Sequence, residues 1–296
     1  MGSWQARLTS SILRQTFKPL LARAGGAKSA RRVMNVELTP PTPFGVRIRT
    51  AVEGGIRGEW VEPSKRPAWG HLLYLHGGGY FTCSPRTHRA ITTAFAKAGL
   101  RVFAPSYRLA PEHPFPAALD DAVASFRSVR EAAGGPLAIG GDSAGGGLSL
   151  ATMLKLRELG EPLPARAVLF SPFTDLTGSG PSRQANDGRC AMFRGVGMEW
   201  VVLGYAGSES ELRNPLVSPL FADLAGLPPL LIHAGADETL LDDSTRLAER
   251  ARAAGVDVSL KIWSSVPHVW QLFHHVIPEG GRSIAEAVEF LKAMLA

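Results

Sequence analysis

The chain has 296 residues, 45% of them hydrophobic, enough for one large α/β domain or two small ones. Its formal charge is +6, but the arginines are scattered, with mild clusters only at 28–32 and 246–252, and not interleaved with aromatics as in a nucleic-acid binder. The two cysteines, Cys83 and Cys190, lie in no Cys-x-x-Cys or histidine-rich spacing, which argues against a structural zinc site and reads as free thiols in a reducing, cytoplasmic compartment.

Residues 1–23 have no continuous apolar run, because Arg7, Arg14 and Lys18 interrupt it, so they do not read as a signal peptide. Nothing in the chain approaches a membrane span in length. Trp4, Leu8, Ile12, Phe17, Leu20 and Leu21 recur at helical spacing opposite a basic face. The stripe points to a helix packed onto its own protein rather than one lying on a membrane surface. A short strand is expected at Val33–Leu38, before Pro40, Pro41 and Pro43 break regular structure.

Val46–Ala51 alternates like a half-buried strand, and Ile56–Val61 pairs with it across Gly54-Gly55 as a hairpin. Short apolar runs follow at Leu72–Leu75, Val102–Ala104, Leu137–Ile139, Ala167–Phe170, Leu230–His233 and Val258–Trp263. Between them lie helical stretches at His88–Ala98, Ala117–Ala132, Gly147–Leu159, Asp243–Ala254 and Ser283–Leu295. This alternation predicts an α/β fold: a mostly parallel central sheet with helices on both faces and the hairpin at one edge. Residues from Gly178 to about Ser218 break the alternation and read as a partly helical insertion above the strand ends.

Ser143 stands in Gly141-Asp142-Ser143-Ala144-Gly145, fed by an apolar run and followed by a helical pattern. That is the layout of a nucleophile elbow, in which side chains at the two glycines would clash across the turn. Acyl transfer by serine also needs a base, an acid that orients it, and donors for the oxyanion. Asp237, just past the 230–233 strand, is the acid expected, with Glu238 as its competitor. Asp242 and Asp243 are read as caps of the helix they open. His268, in the loop after the 258–263 strand, is the base expected. His76-Gly77-Gly78-Gly79 follows an early strand, and glycines there let backbone N–H groups approach a substrate oxygen, with the N–H of Ala144 as a further donor.

Three motifs in order carry a family resemblance: His76-Gly77-Gly78-Gly79, Tyr107-Arg108-Leu109-Ala110-Pro111-Glu112 and the 141–145 pentapeptide. From about Leu72 onward the chain resembles the bacterial hormone-sensitive-lipase family of carboxylesterases, in its Gly-Asp-Ser-Ala-Gly branch. The resemblance implies an α/β-hydrolase core at 46–177 and 217–296 and a helical cap from 1–45 and 178–216. It also implies no cofactor or metal, and hydrolysis of short- to medium-chain acyl esters. It carries the nucleophile to Ser143, the acid to Asp237, the base to His268, and the oxyanion donors to Gly78, Gly79 and Ala144. Two positions depart from the pattern: Glu238 stands where the family often has proline, and Val269-Trp270 where it often has Gly-Phe.

The expected reaction is a two-step acyl transfer through an acyl-enzyme. Tyr80, Phe81, Met192, Phe193, Met198 and Trp200 are the candidates to line the substrate pocket. Lactonase, amidase and thioesterase chemistry use the same groups, and a non-catalytic small-molecule receptor of this fold is the reading from another class. The expected partner is a small ester, with no nucleic acid and no membrane, and the chain reads equally as monomer or homodimer.

Overall fold

A computed structural model describes residues 2–35, 42–195 and 199–295. Three N-terminal helices come first: α1 (Trp4–Gln15), α2 (Phe17–Ala22) and α3 (Ala27–Met34). The expected strand at 33–38 is not there. Val33 and Met34 instead close α3, because Ala30, Val33 and Met34 fall on one helical face against Leu21 and Phe81; residues 36–38 lie outside the described residues.

Strands β1 (Val46–Glu53) and β2 (Ile56–Pro63) form the expected hairpin. The alternation then runs β3 (Gly70–Leu75), α4 (Arg89–Ala98), β4 (Leu100–Pro105), α5 (Ala117–Ala133), β5 (Leu137–Asp142), α6 (Ala144–Glu158) and β6 (Ala167–Phe170). After β6 come the short α7 (Ser182–Ala185) and α8 (Glu199–Ala206) of the inserted segment, then β7 (Leu230–Gly235), α9 (Leu241–Ala253), β8 (Val258–Trp263) and α10 (Pro278–Lys292).

The eight strands make one sheet in the order β1-β2-β4-β3-β5-β6-β7-β8. It is antiparallel within the hairpin and where β2 joins β4, and parallel from β4 through β8. Both faces of strands β3 to β7 are covered, so they bury nearly continuous runs, whereas the edge strand β8 leaves Ser259, Lys261 and Ile262 exposed. One face packs on α5, α6 and α9, through residues such as Phe126, Leu148 and Leu247. The other packs on α4 and α10, through Ile91, Phe95, Ile284 and Leu291. The crossover at β5 puts the carboxyl ends of β3, β5, β6, β7 and β8 along one rim, where an open parallel sheet presents its loops.

A smaller apolar cluster joins Leu21 of α2 and Ala30 of α3 to Phe81 and to Val201 of α8. The N-terminal helices and the inserted segment therefore share a packing centre above that rim. No helix among the described residues is long and apolar enough to cross a membrane. Cys83 and Cys190 are free thiols.

Candidate active site

Ser143 is the single residue between β5 and α6. Its φ of 52° and ψ of −122° lie outside the regions L-residues normally occupy. The turn is held by its own backbone. Ser143 N–H donates to the Phe170 carbonyl (2.8 Å), and the Ser143 carbonyl accepts from the N–H groups of Gly146 (3.0 Å), Gly147 (3.1 Å) and Phe173 (2.8 Å). The flanking glycines are sterically obligatory. A Cβ on Gly141 would stand 2.4 Å from the Gly145 carbonyl oxygen, and one on Gly145 would stand 2.0 Å from that of Leu75. Strain of this kind persists only where the surroundings over-determine it, and here it leaves Ser143 on the wall of a cavity of about 620 Å³.

His268 lies on the same wall, at the end of the loop that follows β8. Its Nδ1 is 2.5 Å from Glu238 Oε2. With that nitrogen donating its proton to the carboxylate, Nε2 is the free acceptor, the form a general base requires. Nε2 is buried with no hydrogen-bond partner among the described residues. Val269, next in the chain, has φ 50° and ψ 49°, a left-handed conformation that is uncommon for a β-branched residue. The turn that aims His268 thus demands a geometry glycine would supply more cheaply.

The carboxylate on His268 corrects the sequence reading. Asp237 faces outward and pairs with Arg189 at the surface. Glu238 is 1% exposed, and its Oε1 accepts from Ser171 Oγ (2.6 Å) and from Gly235 N–H (2.6 Å) while Oε2 meets His268. The physical reason is the tight turn after β7, closed by Glu238 N–H on the Gly235 carbonyl. Consecutive side chains there diverge, and the one with the extra methylene folds back beneath the imidazole. Asp242 and Asp243 do not cap their own helix either. Asp242 accepts from Ser182 N–H, and Asp243 from the N–H groups of Thr174 and Asp175. Burial pushes the Asp243 carboxyl up to about 7.

Gly78 (φ 115°) and Gly79 (φ 60°) line the same cavity. A Cβ on Gly78 would stand 2.3 Å from the Thr82 carbonyl oxygen, so only glycine lets this loop fold back on itself. The Gly78 carbonyl accepts from Phe81 and Thr82, whereas the N–H groups of Gly78 and Gly79 donate to no group among the described residues. Ala144 is the first residue of α6, where backbone N–H groups have no partner within the helix.

Asp142 ties this loop to the elbow. Its Oδ2 meets His88 Nε2 at 3.1 Å, its Oδ1 accepts from Tyr74 Oη at 2.8 Å, and Gly77 N–H lies 3.3 Å from the same His88 nitrogen. Burial works against the Asp142 charge, but His88 and Tyr74 outweigh it and keep the carboxyl below its usual range. The sequence alone shows no role for His88. A histidine at the start of a helix carries no mark of a partner 54 residues away.

Of the pocket candidates, Phe81, Met192 and Phe193 line the cavity, and the Phe193 ring stands edge-on to His268 at 5.0 Å. Tyr80 does not: it is buried, with its ring stacked 3.7 Å from that of Tyr205, because its φ of 65° turns it away. Trp200 packs edge-on against Phe81 outside the cavity, while its neighbour Val201 lines it. Met198 lies outside the described residues. Phe17 and Leu20 of α2 complete the roof, together with Arg32, Arg183 and Arg194. Among the described residues no three His, Cys, Asp or Glu gather as a metal site would need.

Comparison with known proteins gives a consistent result. The family profile described as alpha/beta hydrolase fold matches residues 72–272. An acetyl-hydrolase of Streptomyces hygroscopicus is 42% identical over 81% of this chain and 80% of its own. An esterase of Acinetobacter venetianus is 33% identical over 98% and 97%. The crystal structure of an esterase from the bacterial hormone-sensitive lipase family superposes with a TM-score of 0.91 at 38% identity, covering all of both chains.

Proposed function

This chain belongs to the alpha/beta hydrolase fold family, in its bacterial hormone-sensitive-lipase branch, and on that premise we propose that it is a serine carboxylesterase acting through Ser143, His268 and Glu238. The observation that carries this reading is the meeting of Ser143, His268, Gly78 and Gly79 around one cavity, with Glu238 on the far nitrogen of the imidazole.

In the first step His268 Nε2 takes the Ser143 proton as the hydroxyl oxygen attacks the ester carbonyl. The carbonyl oxygen, now negative, accepts from the N–H groups of Gly78, Gly79 and Ala144. Each such donor is typically worth about a hundred- to a thousandfold in rate. Glu238 holds the imidazole in the right tautomer and stabilises its charged form without itself taking the proton. The tetrahedral intermediate collapses, the carbon–oxygen bond to the alcohol breaks, and His268 protonates the leaving oxygen. Water then attacks the acyl-enzyme by the same route, releasing the acid and restoring Ser143.

The apolar lining at Phe81, Met192 and Phe193 supports a short- to medium-chain acyl group, as does a relative named an acetyl-hydrolase. We read residues 1–45 and 178–216 as a cap over the site, supported by the apolar cluster that joins α2, α3 and α8. The two free thiols support a reducing, cytoplasmic compartment.

The test is covalent labelling. A fluorophosphonate is expected to modify Ser143 stoichiometrically, located by peptide mass spectrometry. Ser143→Ala is expected to lose at least about 10³-fold in p-nitrophenyl butyrate turnover with an unchanged melting profile. Labelling at another serine, or a Ser143→Ala variant that retains turnover, refutes the assignment.

A further inference from the structure

The helical stripe that the sequence assigns to intramolecular packing is buried at Leu21 and half-buried at Phe17, but its remainder is open. Trp4 is 64% exposed, Leu8 51%, Ile12 52% and Leu20 54%. Trp4, Leu8 and Ile12 follow one another at i, i+4 and i+8, so they form a single ridge along α1. It is the opposite side of α1 that is engaged. Ala6 is buried in a cluster with Trp263 and Trp270, and Ser3 bonds Glu279 of α10 through both its N–H and its hydroxyl at 2.8 Å. Arg14 further ties the end of α1 to the Arg189 carbonyl. The ridge is thus presented outward by a helix fixed from behind.

Charge follows the same division. Residues 2–35 hold seven of the 32 Lys and Arg and none of the 26 Asp and Glu. The rest of the chain therefore carries 25 basic against 26 acidic residues, so the entire net charge of +6 resides in this segment. Arg7, Arg23 and Lys28 are exposed. An exposed apolar ridge with a tryptophan, on a segment whose charged side chains are all basic, has the composition that lies in the headgroup layer of an anionic bilayer. A second copy of the chain is the poorer fit, because a two-fold contact sets each basic segment against itself.

This face also borders the cavity. Leu13, Thr16, Phe17 and Leu20 line it, and Leu20 belongs both to that lining and to the exposed surface. We propose that the outer face of α1 and α2 docks on an anionic lipid surface, bringing the mouth of the Ser143 cavity to the headgroup layer. Docking requires no chemistry at Ser143, so it stands or falls separately from the reaction.

The experiment is sedimentation of the full chain with vesicles of phosphatidylcholine alone or with 30% phosphatidylglycerol added. The protein is expected to sediment with the anionic vesicles only, and to be released as salt rises. The Ser143→Ala variant is expected to bind as the wild type does. Trp4→Ser/Leu8→Gln/Ile12→Gln is expected to lose binding at least about tenfold while keeping its melting profile and its turnover of soluble p-nitrophenyl butyrate. Arg7→Gln and Arg23→Gln are each expected to weaken binding by about fivefold, and they keep the test open should the triple variant misfold. Three results overturn the proposal: no sedimentation with anionic vesicles, binding unchanged in all these variants, or a concentration-dependent dimer abolished by the triple substitution.

Discussion

At the turn around Ser143 there is no room for one added methyl group: a Cβ on Gly145 would stand 2.0 Å from a backbone oxygen. At Gly25, between α2 and α3, an added Cβ meets nothing within 4 Å. The elbow and the N-terminal helices line the same cavity, yet the first is over-determined by the sheet beneath it and the second are held by a few anchors at their edge. The nucleophile must be positioned to a fraction of an ångström, and the fold achieves this by closing every alternative around it. The N-terminal helices need only roof the cavity, so their outer residues are left to the surroundings. The difference is visible in chemistry as well as in space. The elbow and its loop are glycine and buried backbone, whereas the roof carries the molecule's whole net charge.

Substitution at the two glycines sharpens this contrast most. Gly145→Ala is expected to destabilise the protein by about 4 kcal/mol or more, because the Cβ strikes backbone that cannot move without parting β3 from β5, and to leave little active enzyme. Gly25→Ala is expected to change stability by no more than about 0.5 kcal/mol. Thermal or urea unfolding of the two variants side by side would break the comparison if the costs were similar.

A smaller effect is expected at the roof's contact with the base. Phe193→Ala removes the ring beside His268 and Phe17. It is expected to raise KM for a butyrate ester about three- to tenfold while changing kcat less than about threefold, the signature of lost uniform binding. Steady-state kinetics decide it, and a fall in kcat at constant KM would place Phe193 in the chemistry rather than the roof.

The smallest effect concerns how the roof is tied down. Arg31 donates to both oxygens of Glu112 and to the carbonyls of Phe81 and Ala110. The hydrogen bonds from Arg31 lower the Glu112 carboxyl to about 2. A carboxyl depressed in the folded state adds stability above its unfolded value, and that stability is lost as pH falls towards the folded one. The pair therefore contributes fully above about pH 5 and fades towards pH 2. Because Glu112 is half exposed, solvent screening holds the gain below about 1 kcal/mol. Glu112→Gln is expected to flatten the pH dependence of unfolding in that window and to leave it unaltered at pH 7–8, apart from this small constant loss.

What the sequence made legible follows the same boundary. The alternation of strands and helices, the elbow turn, the glycine loop and the place of His268 on the cavity were readable, because each is forced by spacing and by residue types that backbone geometry demands. Three misses at the site lie one residue away from the side chain that faces the cavity or the base. Glu238 rather than Asp237 meets the imidazole, and Val201 rather than Trp200 faces the cavity. Tyr80 turns away where Phe81 faces in. In each case two neighbouring side chains point apart, and the choice is made by contacts distant in sequence, such as Ser171 on Glu238 and Tyr205 on Tyr80. The exposed ridge on α1 escaped for a different reason. Helical periodicity shows that a stripe is apolar, but not what covers it.

The carboxylate that supports the base can be identified by one paired measurement, kcat/KM on p-nitrophenyl butyrate for Glu238→Gln and Asp237→Asn. Glu238→Gln is expected to fall about 10²- to 10⁴-fold with Ser143 still present and the fold intact, and Asp237→Asn to stay within about twofold of wild type. The reverse order, with Asp237→Asn crippled and Glu238→Gln active, would contradict the arrangement described for His268.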